Sequence, residues 1–507
     1  MTELVRIEKA DPAFAAFFRF RRVGARYLVT NQVGQYHLLE PAEFEAYVEG
    51  RLDPSTPVYE ALREKNFIRA EVDVDDLAQR LANRQRFLHY GPNLHIAVVT
   101  LRCNETCVYC HASRANMDQT STDMTPEVAE KMVDVIFKTS SPWITIEFQG
   151  GEPLVNFPVV QHVIEYAKKK NETVGKSLEF TMVSNLSLMT EEKLAYLLEN
   201  KVQLCTSIDG PQALHNKQRV LPGGNAFAHA TKWIKRINEA YGEMGLDTSL
   251  YHVEALLTTT KEALKYPKEI VDTYTELGCK ALFLRPVDPF GFAAKTKSKV
   301  DYARGAYLDF YRAAVEYMVE LNLAGTQILE RYAAIFLTKI LRGEDPNFLD
   351  MRNPAGTGIG CLAYNNDGGI FTSDEGRMLH EMGDDMFHIG HVDTSTYREL
   401  MEHETTRAVT LASILDSSPD CVNCAYHPYC GISPEYNYRH QGSLGGRMRD
   451  SAWCHAIKGI QDYLFGKLGE ADAGTLEIFR RWTTVRPRDH FLHTSDPGDD
   501  VVQSAAE

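Results

Sequence analysis

The sequence predicts an α/β protein: a central parallel sheet of six strands curled into a partial barrel, a small N-terminal α+β unit before it and a cysteine-rich region after it. Three observations carry this prediction. Six short apolar runs recur between residues 94 and 284 with amphipathic helical stretches between them, three extended runs followed by helices precede residue 90, and beyond residue 350 periodicity fades while cysteines gather. Parallel strands need crossover connections, and right-handed helical crossovers cover the sheet and curl it. An open doubly wound sheet would give the same pattern. At 507 residues the chain is too long for one ordinary core.

The N-terminal unit is read from FRFRRV, RYLVTN and QYHLLE, extended runs separated by Gly24 and Gly34. Pro41 and Pro57 then open helices, since a proline at the first helical turn gives up an N–H that has no partner there. The six strands are HIAVVT (95–100), ITIEF (144–148), LEFTMVS (178–184), VQLCTSI (202–208), VEALLT (253–258) and ALFL (281–284). Between them Met132 and Ile136, Val160, Val163 and Ile164, and Trp233, Ile234 and Ile237 recur at helical spacing. Longer helical stretches fall at 302–322 and 327–342, and a Gly- and Asn-rich segment from 353 to 369 marks a boundary. The expected divisions are residues 1–90, 91–350, 351–485 and a polar tail, 486–507, expected to be disordered.

Composition excludes several classes. No apolar stretch approaches the roughly 20 residues of a membrane span. A formal net charge of −15 argues against a nucleic-acid partner, whose phosphates call for Lys and Arg. The opening MTELVRIEKADP lacks an apolar core behind a basic start, so secretion is not expected and a cytoplasmic protein is. Ten cysteines in such a chain are expected to be ligands rather than disulfides. Cys205 and Cys279 stand apart and read as small buried hydrophobes.

Cys103, Cys107 and Cys110 read CNETCVYC directly after the first strand of the repeat, at the carboxyl end where α/β sheets place their chemistry. Three thiolates can hold three irons of a [4Fe–4S] cluster and leave the fourth iron open. A structural zinc site wants four ligands, and His111 could supply the fourth. One strand later, ITIEF runs into Gln149-Gly150-Gly151-Glu152-Pro153-Leu154. Glycines there let the backbone approach a ligand with no side chain between, and by itself the segment could be a strand-to-helix turn.

This pair of segments resembles the radical S-adenosylmethionine (SAM) superfamily, whose CxxxCxφC loop and GGEP segment it matches. The resemblance implies a SAM-binding [4Fe–4S] cluster on Cys103, Cys107 and Cys110, Tyr109 near the adenine, and Gly150, Gly151, Glu152 and Pro153 at the SAM amino group. It further implies that Ser184, Asn185, Ser207 and Asp209 at later strand ends face the methionine carboxylate and ribose, with Arg219 able to pair with that carboxylate. It also implies an electron donor such as flavodoxin or ferredoxin.

Cys421, Cys424, Cys430 and Cys454, in CVNCAYHPYC and AWC, resemble the SPASM extension, which encloses an auxiliary [4Fe–4S] cluster; a four-cysteine zinc ribbon fits the same spacing. A further auxiliary cluster would begin at Cys361, but Ser373, and Ser433 or Pro434, stand where its other cysteines are expected, so one auxiliary cluster is predicted. Asp374 occupies the place where related peptide-modifying enzymes carry a catalytic acid or base; an exposed turn aspartate is the alternative. His215 and His427 read as structural.

The three strands and helices at the N-terminus are similar to the winged-helix peptide-recognition domain of peptide maturases. The order of features is most similar to maturases of the His-Xaa-Ser peptide system. The resemblance implies hydrogen abstraction from a ribosomally made precursor peptide and an oxidative product such as a crosslink. The alternatives are a formylglycine-generating sulfatase maturase and, from another class, a zinc-stabilised peptide-binding protein without catalysis.

Overall fold

Arg19–Val23 (β1), Arg26–Thr30 (β2) and Tyr36–Leu39 (β3) pair antiparallel in the order β1-β2-β3. The computed structural model describes residues 10–288 and 290–493, which divide into two compact units. The first unit comprises residues 10–89, 332–355 and 411–484. In it Pro41–Val48 and Pro57–Glu64 are helices, the second capped by Thr56 accepting from the Tyr59 N–H. Tyr27 of β2 stacks on Phe44 at 4.3 Å, and Val29, Leu39, Tyr47, Leu62 and Phe67 complete an apolar core.

The late cysteine segment belongs to this same unit. Thr30 donates to the Ala425 carbonyl at 2.7 Å, and Asp462 of helix Ala452–Glu470 accepts from both Arg21 and Tyr426 at 2.6 Å. The division therefore differs from the expected one. Residues 1–90 and 351–485 were expected to be separate, but cysteines 421–454 share a unit with the N-terminal sheet, and 356–410 pack in the other unit. Bonds such as Thr30 to Ala425 join positions 395 residues apart, which no local periodicity registers.

The second unit comprises residues 90–331, 356–410 and 485–493. Its sheet contains Leu94–Thr100 (β4), Trp143–Gly150 (β5), Ser177–Val183 (β6), Val202–Ser207 (β7), Glu254–Thr259 (β8), Ala281–Pro286 (β9), Leu329–Glu330 (β10), Cys361–Tyr364 (β11), Gly369–Phe371 (β12) and His388–His391 (β13). The order is β10-β9-β8-β7-β6-β5-β4-β11-β12-β13. Strands β4 to β9 are the six predicted ones, all parallel, and form the partial barrel. β11 extends the sheet parallel to β4, and β12 and β13 add antiparallel strands. Helices Pro126–Ile136, Phe157–Val174, Glu191–Glu199, Ala226–Glu243 and Pro267–Glu276 make the crossovers, burying Met132, Val163, Ile164, Trp233 and Ile237. Among the described residues no helix is long and apolar enough to cross a membrane.

The strands alternate rather than run apolar on both faces. Ile144, Ile146 and Phe148 of β5 are fully buried, while Glu147 of the opposite face accepts from Thr181 of β6 at 3.0 Å. Cys205 projects from β7 on this polar face and is half-buried, unlike the buried hydrophobe expected; Cys279 is buried. The period of two hides such a polar face inside an otherwise apolar run.

Residues 486–493, expected to be disordered, are ordered, and 494–507 lie outside the described residues. Leu492–His493 (β14) pairs antiparallel with β6, Phe491 is buried, and Arg488 forms an ion pair with buried Glu179. The segment looks polar because its arginines are needed: a buried carboxylate is stable only when paired.

Glu254 of β8 pairs with Arg331. Burial alone would raise its pKa, but Arg331 overrides burial and holds it at about 2 against an ordinary 4.5. A depressed carboxylate contributes stability above its unfolded pKa and loses it as pH falls through the folded one. Unfolding free energy followed by circular dichroism between pH 4.5 and 2 is expected to fall more steeply in the wild type than in Glu254→Gln.

Candidate active site and a second cysteine site

The first thiol loop leaves β4 at Thr100 and is fixed by its surroundings. Thr100 donates to Asp123 at 2.6 Å and Arg102 donates to the same carboxylate at 2.8 Å. The Cys103 N–H bonds to Ala115 O at 3.1 Å, Cys107 pairs with Arg219 in a two-residue ladder, and Cys110 N–H closes a turn onto Cys107 O at 3.2 Å. Burial pushes the Cys103 thiol up to about 12, with Glu152, Cys110 and Glu105 adding to it; it also pushes Cys107 well up, against the pull of Arg219. Three mutually repelling, desolvated thiolates need more positive charge than one guanidinium, which is what the irons of a cluster supply.

Three thiols in one loop suit three irons of a cluster, and His111, the fourth ligand a zinc site would need, follows Cys110 directly with its Nε2 buried and without a hydrogen bond. Among the described residues no three His, Cys, Asp or Glu side chains are drawn in tightly enough for a single ion.

Beside the loop, Gly150 ends β5 at φ +129°, and a Cβ there would fall on the Thr100 carbonyl oxygen; a Cβ on Gly151 would fall on those of Leu101 and Arg102. The Gly151 and Glu152 N–H groups bond to Thr100 O and Arg102 O, both at 2.8 Å, so only glycines let the two strand ends touch. Gly150→Ala is expected to cost about 1–3 kcal/mol, measured by chemical denaturation, and to cut SAM cleavage at least tenfold by opening this contact.

Glu152, followed by buried Pro153, accepts from Leu154 N at 3.0 Å, Ser184 Oγ at 2.7 Å and Asn185 N at 2.8 Å, so its carboxylate ties β5 to the end of β6. Asn185 in turn donates to Asn104 Oδ1 at 3.1 Å and approaches Cys103 Sγ at 3.8 Å. Ser207 closes β7 and stands half-buried. Asp209 is fully buried and accepts from the Tyr109 hydroxyl at 2.6 Å, with Arg219 Nε at 3.4 Å. Arg219 also faces Glu105 at 3.8 Å and lies over the Tyr109 ring at 5.4 Å. His215 accepts from the Asp209 N–H at 3.2 Å. Tyr109, Asp209 and Arg219 thus form one buried group, in which the guanidinium and phenol are held by carboxylates of the chain itself. Glu105, unmarked in the sequence, completes it, its carboxyl pushed up to about 7 by burial against the pull of Arg219.

Asp374 opens helix Asp374–His380 and is buried, not an exposed turn residue; it accepts from Arg377 Nε at 2.7 Å. The acid also contributes to the electrostatic surroundings of His111 and Glu147. Glu147 and His111 were not singled out as acid or base; alternation along β5 is the only mark the former leaves in the sequence. Cys361, buried in β11, approaches Thr372 O at 3.6 Å. Ser373 and Ser433 cap helices, accepting from Gly376 N and Tyr436 N, and Pro434 begins the second of them. The places where further cluster cysteines were expected are thus occupied by helix starts.

In the first unit, Cys421, Cys424, Cys430 and Cys454 all line one small cavity with Met448, Trp453 and Lys458. Turns bring Cys424 N–H to Cys421 O at 2.9 Å, and Cys454 N–H bonds to the Ser451 cap of its helix at 3.3 Å. Burial works against the Lys458 ammonium, but Cys424 and Cys454 outweigh it and hold its pKa up. Four convergent thiols with a lysine fit a closed cluster and its negative charge.

Residues 97–281 match the radical SAM superfamily model. The cysteine-type anaerobic sulfatase-maturating enzyme of Clostridium perfringens is 24% identical over 386 residues, covering 72% of this chain and 94% of that enzyme. Among solved structures, native anSMEcpe with bound AdoMet and Cp18Cys peptide is similar with a TM-score of 0.60 at 20% identity, covering 77% of this chain and 100% of that one. Streptococcus suis SuiB bound to precursor peptide SuiA follows with 0.51 at 14%, covering 88% and 99%. The radical SAM family uses a [4Fe–4S] cluster and SAM, and SPASM-type members carry auxiliary clusters. The thiol loop and the double-glycine contact stand at the ends of adjacent parallel strands inside residues 97–281, and this part of the chain is a radical SAM domain.

Proposed function

We propose that this enzyme forms a 5′-deoxyadenosyl radical and uses it to take a hydrogen atom from a side-chain or α carbon of a ribosomally made precursor peptide, leaving an oxidative modification such as a crosslink. The observation that carries the reading is a three-thiol loop at the strand ends of one unit together with a separate four-thiol cavity in the other. SAM and its cluster supply the radical when bound. Gly150, Gly151 and Pro153 shape the backbone for the SAM amino group, with Ser184, Asn185, Ser207, Asp209, Tyr109 and Arg219 around the rest of it. As the new bond forms, the substrate loses one hydrogen atom to the radical and then one proton and one electron. Asp374 is the proposed proton acceptor, and Cys421, Cys424, Cys430 and Cys454 would hold an auxiliary cluster able to accept the electron. The N-terminal sheet and helices support recognition of a peptide, the His-Xaa-Ser system being the precursor class the sequence favours. Flavodoxin or ferredoxin in the cytoplasm is the proposed source of the initiating electron.

A second reading, formylglycine formation on a sulfatase, is favoured by similarity along 94% of the clostridial maturase. Anaerobic incubation of the reconstituted enzyme with SAM, dithionite and either peptides encoded beside its gene or a cysteine-containing sulfatase peptide separates the two. A crosslink removes two hydrogens and retains every heavy atom, whereas formylglycine formation releases the sulfur. Deoxyadenosine produced with neither peptide altered would count against both readings, and a preparation holding zinc without iron or sulfide would leave only the non-catalytic peptide binder.

A further inference from the structure

We propose that a cavity of about 280 Å³ in the first unit, beside the four-cysteine site, binds a small oxyanion, a carboxylate or phosphate group. Its lining includes Arg84, Phe87, Lys339, Arg352, His427 and Cys430. Several times the roughly 30 Å³ share of one water, it has room for such a group.

Two of its cations are held by carbonyls rather than in contact with a carboxylate. Arg84 Nη1 donates to Val33 O at 2.6 Å, and its guanidinium lies 5.9 Å from the Tyr429 ring centroid. The seat is built for it: Gly34 has φ +82°, and a Cβ there would fall on Nη1 of Arg84. Lys339, buried in the turn of helix 338–342, donates to the Met351 carbonyl. Among the described residues neither forms an ion pair. The acids of the same wall have other partners: Arg352 donates to Asp345 at 2.7 Å, Arg342 pairs with Glu344 at 2.9 Å and Asn353 donates to Asp416 at 3.0 Å. Burial lowers the pKa of both cations, and Arg84 lowers Lys339 further, to about 7.

A pair of desolvated cations facing one cavity leaves positive potential that an anion would neutralise. The planar donors of a guanidinium match two oxygens of a carboxylate or phosphate. Phe87, over which Arg352 stands at 4.5 Å, gives the cavity an aromatic side.

The test is isothermal titration calorimetry on the reconstituted full chain with inorganic phosphate, with succinate, and with a short peptide bearing a free C-terminus beside its amide. At least one is expected to bind one-to-one, with affinity falling tenfold or more in Arg84→Gln and in Lys339→Gln. Iron content and circular dichroism establish that each variant is folded, and the half-exposed Arg84 position carries the test if the buried lysine variant is not. Binding of phosphate or succinate assigns a free anion; binding of the peptide and not its amide assigns a chain terminus. Absence of binding to the wild type by all three at millimolar concentration, or undiminished binding in folded Arg84→Gln, overturns the proposal.

Discussion

Replacing Cys103, Cys107 and Cys110 together with Ala is expected to abolish deoxyadenosine formation while leaving a folded protein that still carries its auxiliary cluster. The three thiols sit in a loop whose backbone is held by the Ala115, Arg219 and Cys107 bonds, none of which involves sulfur. Sheet strands β4 to β9 keep their core without them. Burial already disfavours the free thiolates, so their loss removes little folding energy in the absence of iron. Iron after anaerobic reconstitution is expected to fall from roughly eight to roughly four per chain, four for each cubane cluster. The matching Cys430→Ala change should spare SAM cleavage and lower iron by the same amount, since that thiol lies in the other unit. Cleavage persisting in the triple variant would remove the assignment of the loop.

The strands of the barrel were legible because each couples an apolar run to a crossover helix within about 30 residues, a range over which local pattern is informative. ITIEF was read as 144–148 and extends over Trp143–Gly150, so its end lies at the double glycine. The two thiol sets and the GGEP segment were legible for the same reason: their members are neighbours in sequence. What could not be read is long-range. Arg488 looks like a residue of a polar tail until Glu179 of β6 is placed against it, and Glu105 looks like any loop acid until Arg219 arrives from beyond β5, β6 and β7. Nor does sequence show that Tyr429 reaches Gly34 O at 2.8 Å, which helps draw the second cysteine run to the N-terminal sheet.

Asp374→Asn is expected to separate radical formation from product. The carboxylate sits at the start of helix Asp374–His380, where an Asn fits the same volume and its amide oxygen can still accept from Arg377; neutralising the partner of this buried guanidinium is expected to cost about 3–5 kcal/mol, so circular dichroism and iron content are read beside activity. What the amide lacks is the capacity to take a proton. General base assistance contributes typically 10²–10⁴-fold, and a loss of about that size is expected in peptide modification with SAM cleavage near the wild-type rate. Glu147, which accepts from Thr181 at 3.0 Å, offers a control: with Asp374 as the proton acceptor, Glu147→Gln lowers modification less than Asp374→Asn does. The readout is the ratio of modified peptide to deoxyadenosine in one reaction: a purely structural role for Asp374 would depress both together and leave the ratio unmoved, whereas a base would let deoxyadenosine accumulate over unmodified peptide.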